Sequence, residues 1–327
     1  MTNSTMLSLA ILFLIASASG TDAEVLHIAE MNTVQIQELD RDRTVVIIPG
    51  GILEEHGPYL PSMSDGYVNL DESNQLAGDL SERGWTAVMF PLIPLGSGGA
   101  NEVGGQHVFP GTFAIRPETL RAIFMDLATE LGEQEFRYIL VLHGHGGPAH
   151  NLALDQAGQY FRDEYGGEMH NLAGYLTNSL SAPELLTEDE LAENGFSVHG
   201  GVMETSHLIH LRPDLVGPDV GEAEPVTGQG IADLMELGAE TEWPGYFGSP
   251  RLARPDIGKA IVEKRYRANL ELALRVLDGD DLSDTPRWSV IAYQREETQA
   301  VISGSRAENS RRAERQNAWI RRTDSEL

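Results

Sequence analysis

Apolar and polar positions fall into blocks along this chain, and the period changes from block to block. "RTVVIIPGG" is uncharged and β-branched from Val45 to Gly51, which predicts a buried strand stopped by glycines. A polar–apolar stretch over about 66–83 predicts a helix, and "WTAVMFPLIPLG" a second strand. In "RPETLRAIFMDLATELGEQEF" (116–136), Leu120, Ile123, Phe124, Leu127 and Leu131 recur at helical spacing behind a proline in the first turn. "RYILVLHGHGG" reads as another uncharged strand broken by glycines, followed by a helix from about His150 to Tyr165. "VMETSHLIHL", "QGIADLMELG" and "DIGKAIVEKRYRANLELALRVLDG" read as further helices. Strands alternating with helices predict an α/β fold on a mostly parallel sheet. In such sheets ligands bind beyond the carboxyl ends of the strands.

Composition adds compartment and partners. The 327 residues, 41% of them hydrophobic, suffice for a sizeable core. Met6 to Gly20 is the one long apolar run; it is too short to span a bilayer and suits the h-region of an export signal cleaved near Ala18 to Gly20 or at Ala23. The preceding "MTNST" has no Lys or Arg, so an uncleaved membrane anchor stays open. The expected organisation is a signal peptide over 1–23, one domain over 24–280 and a C-terminal extension over 281–327, with the product secreted or periplasmic. In that extension "SRAENSRRAERQNAWIRRTDSEL" carries six arginines among four acids, which reads as a solvated helix or tail, with a docking or oligomer arm as the alternative. Cysteine is absent, which excludes disulfides, thiolate metal sites and cysteine nucleophiles. With 50 acidic and 23 basic residues the net charge is −27, so nucleic acid and anionic membranes are not expected partners.

The candidate chemistry gathers at the glycine-rich ends of the two apolar runs. "GILEEHGPYLPSMSDGY" holds Glu54, Glu55, His56 and Asp65. On an extended chain Glu54 and His56 face one side while Glu55 turns away, and the two prolines of "GPYLP" stiffen a loop that folds Asp65 back. Carboxylates beside an imidazole suit Zn²⁺, Mn²⁺ or Fe²⁺; the alternative is that these groups cap the next helix and solvate a loop. "LVLHGHGG" repeats the i, i+2 spacing with His143 and His145, and "VHGGVMETSH" adds His199 and Glu204, with Thr205 and Ser206 as supporting hydrogen-bond partners. His207 and His210 read as surface or core residues of their helix. No G-x-S-x-G elbow, H-E-x-x-H helix or complete G-x-G-x-x-G is present, and "GSGGANEVGG" (96–105), without a P-loop lysine, reads as a flexible active-site loop.

In order, "EEHGPYLPSMSD", "HVFPGTFAIRPETL", "LVLHGHGG", "HGGVMETS" and "GYFGSP" resemble the creatininase family of metal-dependent amidohydrolases, from about Val45 to about Leu277. The resemblance implies a three-layer αβα sandwich and a site holding two divalent metals, in a family that opens a cyclic amide, deformylates a pyrimidine amine or cuts a peptide. It implies Glu54, His56, Asp65 and His145 as metal ligands, Asp65 as the bridge, Glu204 as a further ligand and His199 as the acid/base group. The chain departs from the family where His143 and Pro148 replace asparagines, where Tyr59 replaces a histidine and where Gln106, before His107, replaces a glutamate; Tyr59, His107 and His143 are the expected substrate contacts. The implied reaction adds a metal-bridging hydroxide to an amide carbonyl, one metal stabilising the oxyanion and His199 protonating the leaving nitrogen. The expected protein is an exported amidohydrolase of a cyclic or linear small-molecule amide, free of the membrane after signal cleavage and homo-oligomeric. A peptidase, a deformylase and a non-catalytic binder of metal or small molecule are the alternatives.

Overall fold

The computed structural model describes residues 25–176 and 182–324; the expected export signal and its cleavage positions lie outside them. Five parallel strands form one sheet: β1 (Leu26–His27), β2 (Thr44–Pro49), β3 (Thr86–Met89), β4 (Tyr138–Leu142) and β5 (Glu168–Asn171), in the order β1-β3-β2-β4-β5. The helices are α1 (Thr33–Gln37), α2 (Ser64–Glu82), α3 (Pro117–Glu133), α4 (Pro148–Tyr165), α5 (Glu188–Asn194), α6 (Val202–Leu211), α7 (Ile231–Gly238), α8 (Pro255–Asp278), α9 (Trp288–Gln294) and α10 (Gln299–Asp324).

Side-chain alternation splits the core into two layers. Val45 and Ile47 of β2 and Leu140 and Leu142 of β4 meet Leu76 and Leu80 of α2 and Leu272 and Val276 of α8. Their neighbours Val46, Ile48, Ile139 and Val141 point the other way, onto Leu120 and Phe124 of α3 and Leu154 and Phe161 of α4. The expected three-layer αβα sandwich is the observed fold, and both faces of its parallel sheet are covered. The expected second strand is shorter than its apolar run: β3 stops at Met89, and the chain beyond it returns only as an isolated bridge between Ile93 and Gly50.

From β2 the chain crosses through α2 to β3, toward one edge; from β3 it crosses back through α3 to β4, on the other face of the sheet. The neighbours β2 and β4 therefore frame a topological switch point at their carboxyl ends. Residues 50–63 and 143–147 leave the sheet there.

The C-terminal extension is helical, and only its far half fits the picture of a solvated appendage. Arg287 reaches Tyr175 Oη at 2.6 Å and bonds Asp155, and Ser289 bonds the same carboxylate, so α9 is docked on α4. Trp319 and Ile320, near the end of α10, are 58% and 46% exposed.

Candidate metal centre

Ten residues lie between Glu54 and Asp65, and the loop closes on itself through the Glu54 N–H donating to the Ser62 carbonyl at 2.9 Å. That brings Asp65, in the first turn of α2, against His145 from the loop after β4: His145 Nδ1 lies 3.1 Å from Asp65 Oδ2 and 3.0 Å from Glu54 Oε2. The second Asp65 oxygen, Oδ1, faces His56 Nε2 at 3.8 Å, and the same nitrogen is 3.8 Å from Glu204 Oε2. His199 Nδ1 is 3.2 Å from Glu54 Oε1 and 3.8 Å from Glu204 Oε2, and its ring centroid is 4.3 Å from that of His56. Glu54, Asp65 and His145 can converge on one ion, and His56, His199 and Glu204 on another.

Whether these residues suit cations is tested by where the imidazole hydrogens go. A carbonyl can only accept, so each ring that bonds one carries its hydrogen on that nitrogen. His56 Nδ1 donates to Glu54 O at 3.1 Å, His145 Nε2 to Gly98 O at 2.8 Å, and His199 Nε2 to Glu55 O. In all three rings the other nitrogen is left facing carboxylates, the arrangement by which metal-binding proteins fix a histidine. His56 Nε2 is buried with no hydrogen-bond partner, and so is Glu54 Oε2, whose approach to His145 lacks hydrogen-bond alignment. Orphaned buried atoms of this kind are costly unless something binds them, and nitrogen with carboxylate oxygen is a donor set for borderline and hard divalent ions. The residues fit.

The electrostatics express the same crowding. Burial pushes Glu54 up, and the imidazoles of His145, His199 and His56 outweigh it and hold the carboxyl well below the usual carboxylate range. Burial favours neutral His145, and the Glu54 and Asp65 carboxylates override it and hold the ring's pKa well above its ordinary value. His199 is raised too, burial being overcome by Glu54 and Glu204.

Several sequence expectations change here. Glu55 turns away from the cavity that Glu54 and His56 line, but into the protein: β2 ended at Pro49 and the loop that follows folds over it, so Glu55 is 3% exposed with one oxygen bonded by Thr112 and the other unpartnered. Burial, with the adjacent Glu54 charge, pushes it up to about 7 against His199 and Thr112. His143 and His145 do not act as a pair either. His143 continues the alternation of β4 into the core, fully buried against Phe124, with Nδ1 3.1 Å from His150 Nε2, whereas His145 lines the cavity. Burial lowers the pKa of His143 to about 3, so it stays neutral. Of the expected substrate contacts, then, His143 lies behind the site, and Tyr59 and His107 are also outside the cavity lining, Tyr59 beside Tyr246 and His107 accepting at its carbonyl from Arg312.

The glycine loop 96–99 is fixed to the site rather than merely flexible: Gly98 O orients His145, Ser97 N donates to His150 Nδ1 at 3.3 Å, and just beyond it Ala100 N donates to Glu54 Oε1 at 2.8 Å. Thr205 and Ser206 support the backbone, Thr205 donating to Gly200 O and Ser206 accepting from Arg254 N, both at 3.0 Å. His210 is exposed, while His207 is buried and lines the cavity.

Asn69 escaped the sequence reading, although its place one helical turn after Asp65 is a signal that could have found it. Its Nδ2 donates to Gly50 O at 2.8 Å and to Gly144 O at 3.0 Å, tying together the two loops that carry Glu54 and His145. Arg265 of α8 holds Asn69 Oδ1 at 3.3 Å and Glu72 at 2.9 and 3.1 Å.

Fold and site together define a doubly wound α/β protein with a carboxylate–imidazole centre at the switch point of its sheet. The model of the family described as creatininase, creatinine amidohydrolase, matches residues 29–272. The chain is 26% identical over 227 residues to the creatinine amidohydrolase of Pseudomonas putida, covering 67% of this chain and 84% of that one. It is likewise 26% identical over 246 residues to the mycofactocin precursor peptide peptidase of Mycobacterium ulcerans, covering 72% and 86%. Among solved structures, one described as "Creatininase Mn" superposes with a TM-score of 0.56 at 23% identity, over 77% of this chain and 98% of the other. A mutant creatininase of "Zn-Zn type" superposes with a TM-score of 0.58, again at 23% identity and over 77% and 98%. The chain belongs to the creatininase family and is an amidohydrolase, a hydrolase of carbon–nitrogen bonds.

Proposed function

We propose that this amidohydrolase cleaves the C–N bond of a cyclic or linear small-molecule amide at a centre of two divalent cations, Glu54, Asp65 and His145 holding one, His56 and Glu204 with Asp65 the other. The observation that carries this reading is Asp65, whose two oxygens face different histidines, Oδ2 toward His145 at 3.1 Å and Oδ1 toward His56 at 3.8 Å. Divalent ions held by these residues would supply a water of near-neutral pKa and a Lewis acid for the amide carbonyl. Manganese and zinc are the metals named for the creatininase structures above.

The chain's own residues position and move protons. His199, which lines the cavity, has its Nε2 hydrogen committed to the Glu55 carbonyl, so a proton exchanged with a leaving nitrogen would be carried on Nδ1, beside Glu54 Oε1. His199→Ala is expected to keep its metal and lose about 10²- to 10⁴-fold in kcat, the range for a missing acid/base group. Loss of the metal along with activity would make His199 a ligand instead.

The reading is tested by chelation and reloading. Protein stripped with EDTA should be inactive, regain activity with Mn²⁺ or Zn²⁺, and retain up to two ions per chain by elemental analysis after desalting; retention of less than one would remove the centre. A panel of lactams, linear amides, formamides and peptides then separates the amidohydrolase from a peptidase or deformylase. Export is part of the same proposal, motivated by the apolar run Met6 to Gly20. The mature chain should begin between residues 19 and 24 by N-terminal sequencing of secreted protein, and an intact Met1 on membranes would favour an anchor.

A further inference from the structure

The cavity in front of the candidate centre has a volume of about 770 Å³, within the range of about 300–1,000 Å³ that ligands of drug-like size occupy. Part of its wall comes from beyond residue 272, where the family match ends. Trp288 and Tyr293 of α9 and Val301 and Ile302 of α10 line it, with Leu152 and Met203 contributing from α4 and α6. This wall is fastened to the machinery: Trp288 Nε1 donates at 2.7 Å to the carbonyl of Gly146, next to His145, while Arg287 and Ser289 both hold Asp155. Ile302 is only 7% exposed, so the near half of α10 is packed where its far half is not.

Charge adds a second feature. Arg121, Arg295 and Arg306 also line the cavity. Arg121 donates to the neutral Gln156 at 2.9 Å and Arg295 lies over the Trp288 ring at 5.5 Å. Among the described residues no carboxylate pairs with any of the three, although acidic residues outnumber basic ones 50 to 23 and Glu118 and Glu297 line the same cavity. Guanidinium groups left free of carboxylates around an apolar cavity are suited to a carboxylate brought by a ligand.

We propose that α9 and α10 are the substrate-selecting wall of this enzyme, and that they select amides joined through an apolar chain to a carboxylate. The amide lies at the metal centre, the chain along Val301, Ile302 and Leu152, and the carboxylate against Arg121 and Arg306. Hydrolysis of such a primary amide consumes one water, breaks the C–N bond and releases ammonia and the second carboxylate. The inference rests on the amidohydrolase reading for the amide end only.

The test uses the full, metal-loaded chain and three probes: the monoamide of octanedioic acid, the methyl ester of that monoamide, and the monoamide of butanedioic acid. The eight-carbon acid is expected to exceed its ester by about tenfold in kcat/KM, or in Kd if no turnover occurs. It should exceed the four-carbon acid by a similar margin or more, since each buried methylene is worth about fourfold. In Arg121→Gln/Arg306→Gln, which changes two side chains outside the hydrophobic core, the acid-to-ester ratio should fall to within about twofold of one. Equal treatment of acid and ester by the wild type, or a ratio that survives the double substitution, overturns the proposal. Selective binding that depends on the arginines but comes without hydrolysis of any probe would uphold the wall and sink the small-molecule amide substrate of the proposed function instead.

Discussion

Asp65→Asn should leave the protein folded, unable to retain metal and without measurable turnover. The carboxylate has its two oxygens directed at two different histidines, so it faces both clusters of ligand atoms at once. An amide of the same shape carries no charge, presents only one good acceptor and leaves the repulsion between two cations uncompensated. The loss in kcat is expected at about 10³-fold or more, on the order of 4 kcal/mol of transition-state stabilisation. Folding should survive because Asp65 is partly exposed at the head of α2 and takes no part in the two core layers. Elemental analysis, activity and a melting curve on one preparation decide it. A folded Asp65→Asn protein holding two ions per chain would remove Asp65 from the bridging role.

The largest effect on stability is expected at Arg265. Its guanidinium is 14% exposed and grips Glu72, 2% exposed, through two hydrogen bonds, while Asn269 supplies a third donor to the same carboxylate at 3.2 Å. Arg265→Met strands the Glu72 carboxylate in the interior and removes the support of Asn69, with an expected cost of about 3–5 kcal/mol and a melting temperature lower by on the order of 10 °C. Adding Glu72→Leu should recover most of that cost, because a buried ion pair replaced whole by apolar groups leaves no uncompensated charge. The comparison of the single and double variants by thermal and urea unfolding separates a stranded charge from a merely damaged surface. A single variant that unfolds with the wild type would show that the pair contributes nothing.

Much of this arrangement was legible without coordinates because it is written in local period. The runs Val45–Gly51 and Tyr138–Leu142 are continuously apolar because both faces of the sheet are covered, and the helix starting at Pro117 shows its buried side at Leu120, Phe124 and Leu131. Glycines after those strands marked where the chain leaves the core, and Glu54, His56, Asp65 and His145 stood out as metal-ligating types placed there.

Where the local rule stopped applying, the reading erred. Glu54, Glu55 and His56 were placed on an extended strand, yet β2 had already ended and a folded loop buried all three, Glu55 behind the cavity that the other two line. His143 was expected to join His145 at the site, yet its ring is buried against Phe124 and His150 while His145 lines the cavity. The near half of α10 has few apolar residues, so its packing was not visible in its pattern; Val301 and Ile302 bear on a cavity that other elements make.

The sequence by itself thus determined the parallel α/β architecture, the family and the candidate metal-ligating side chains, all of which depend on residue type and short-range spacing. Only the tertiary structure decided which nitrogen of each imidazole faces the carboxylates, that Asn69 and Arg265 lock the two loops together, and that the C-terminal helices wall the cavity. Those contacts join positions 50, 69, 144 and 265, or 146 and 288, and hydrogen bonds across such separations arise only once the sheet has set the distances between its loops.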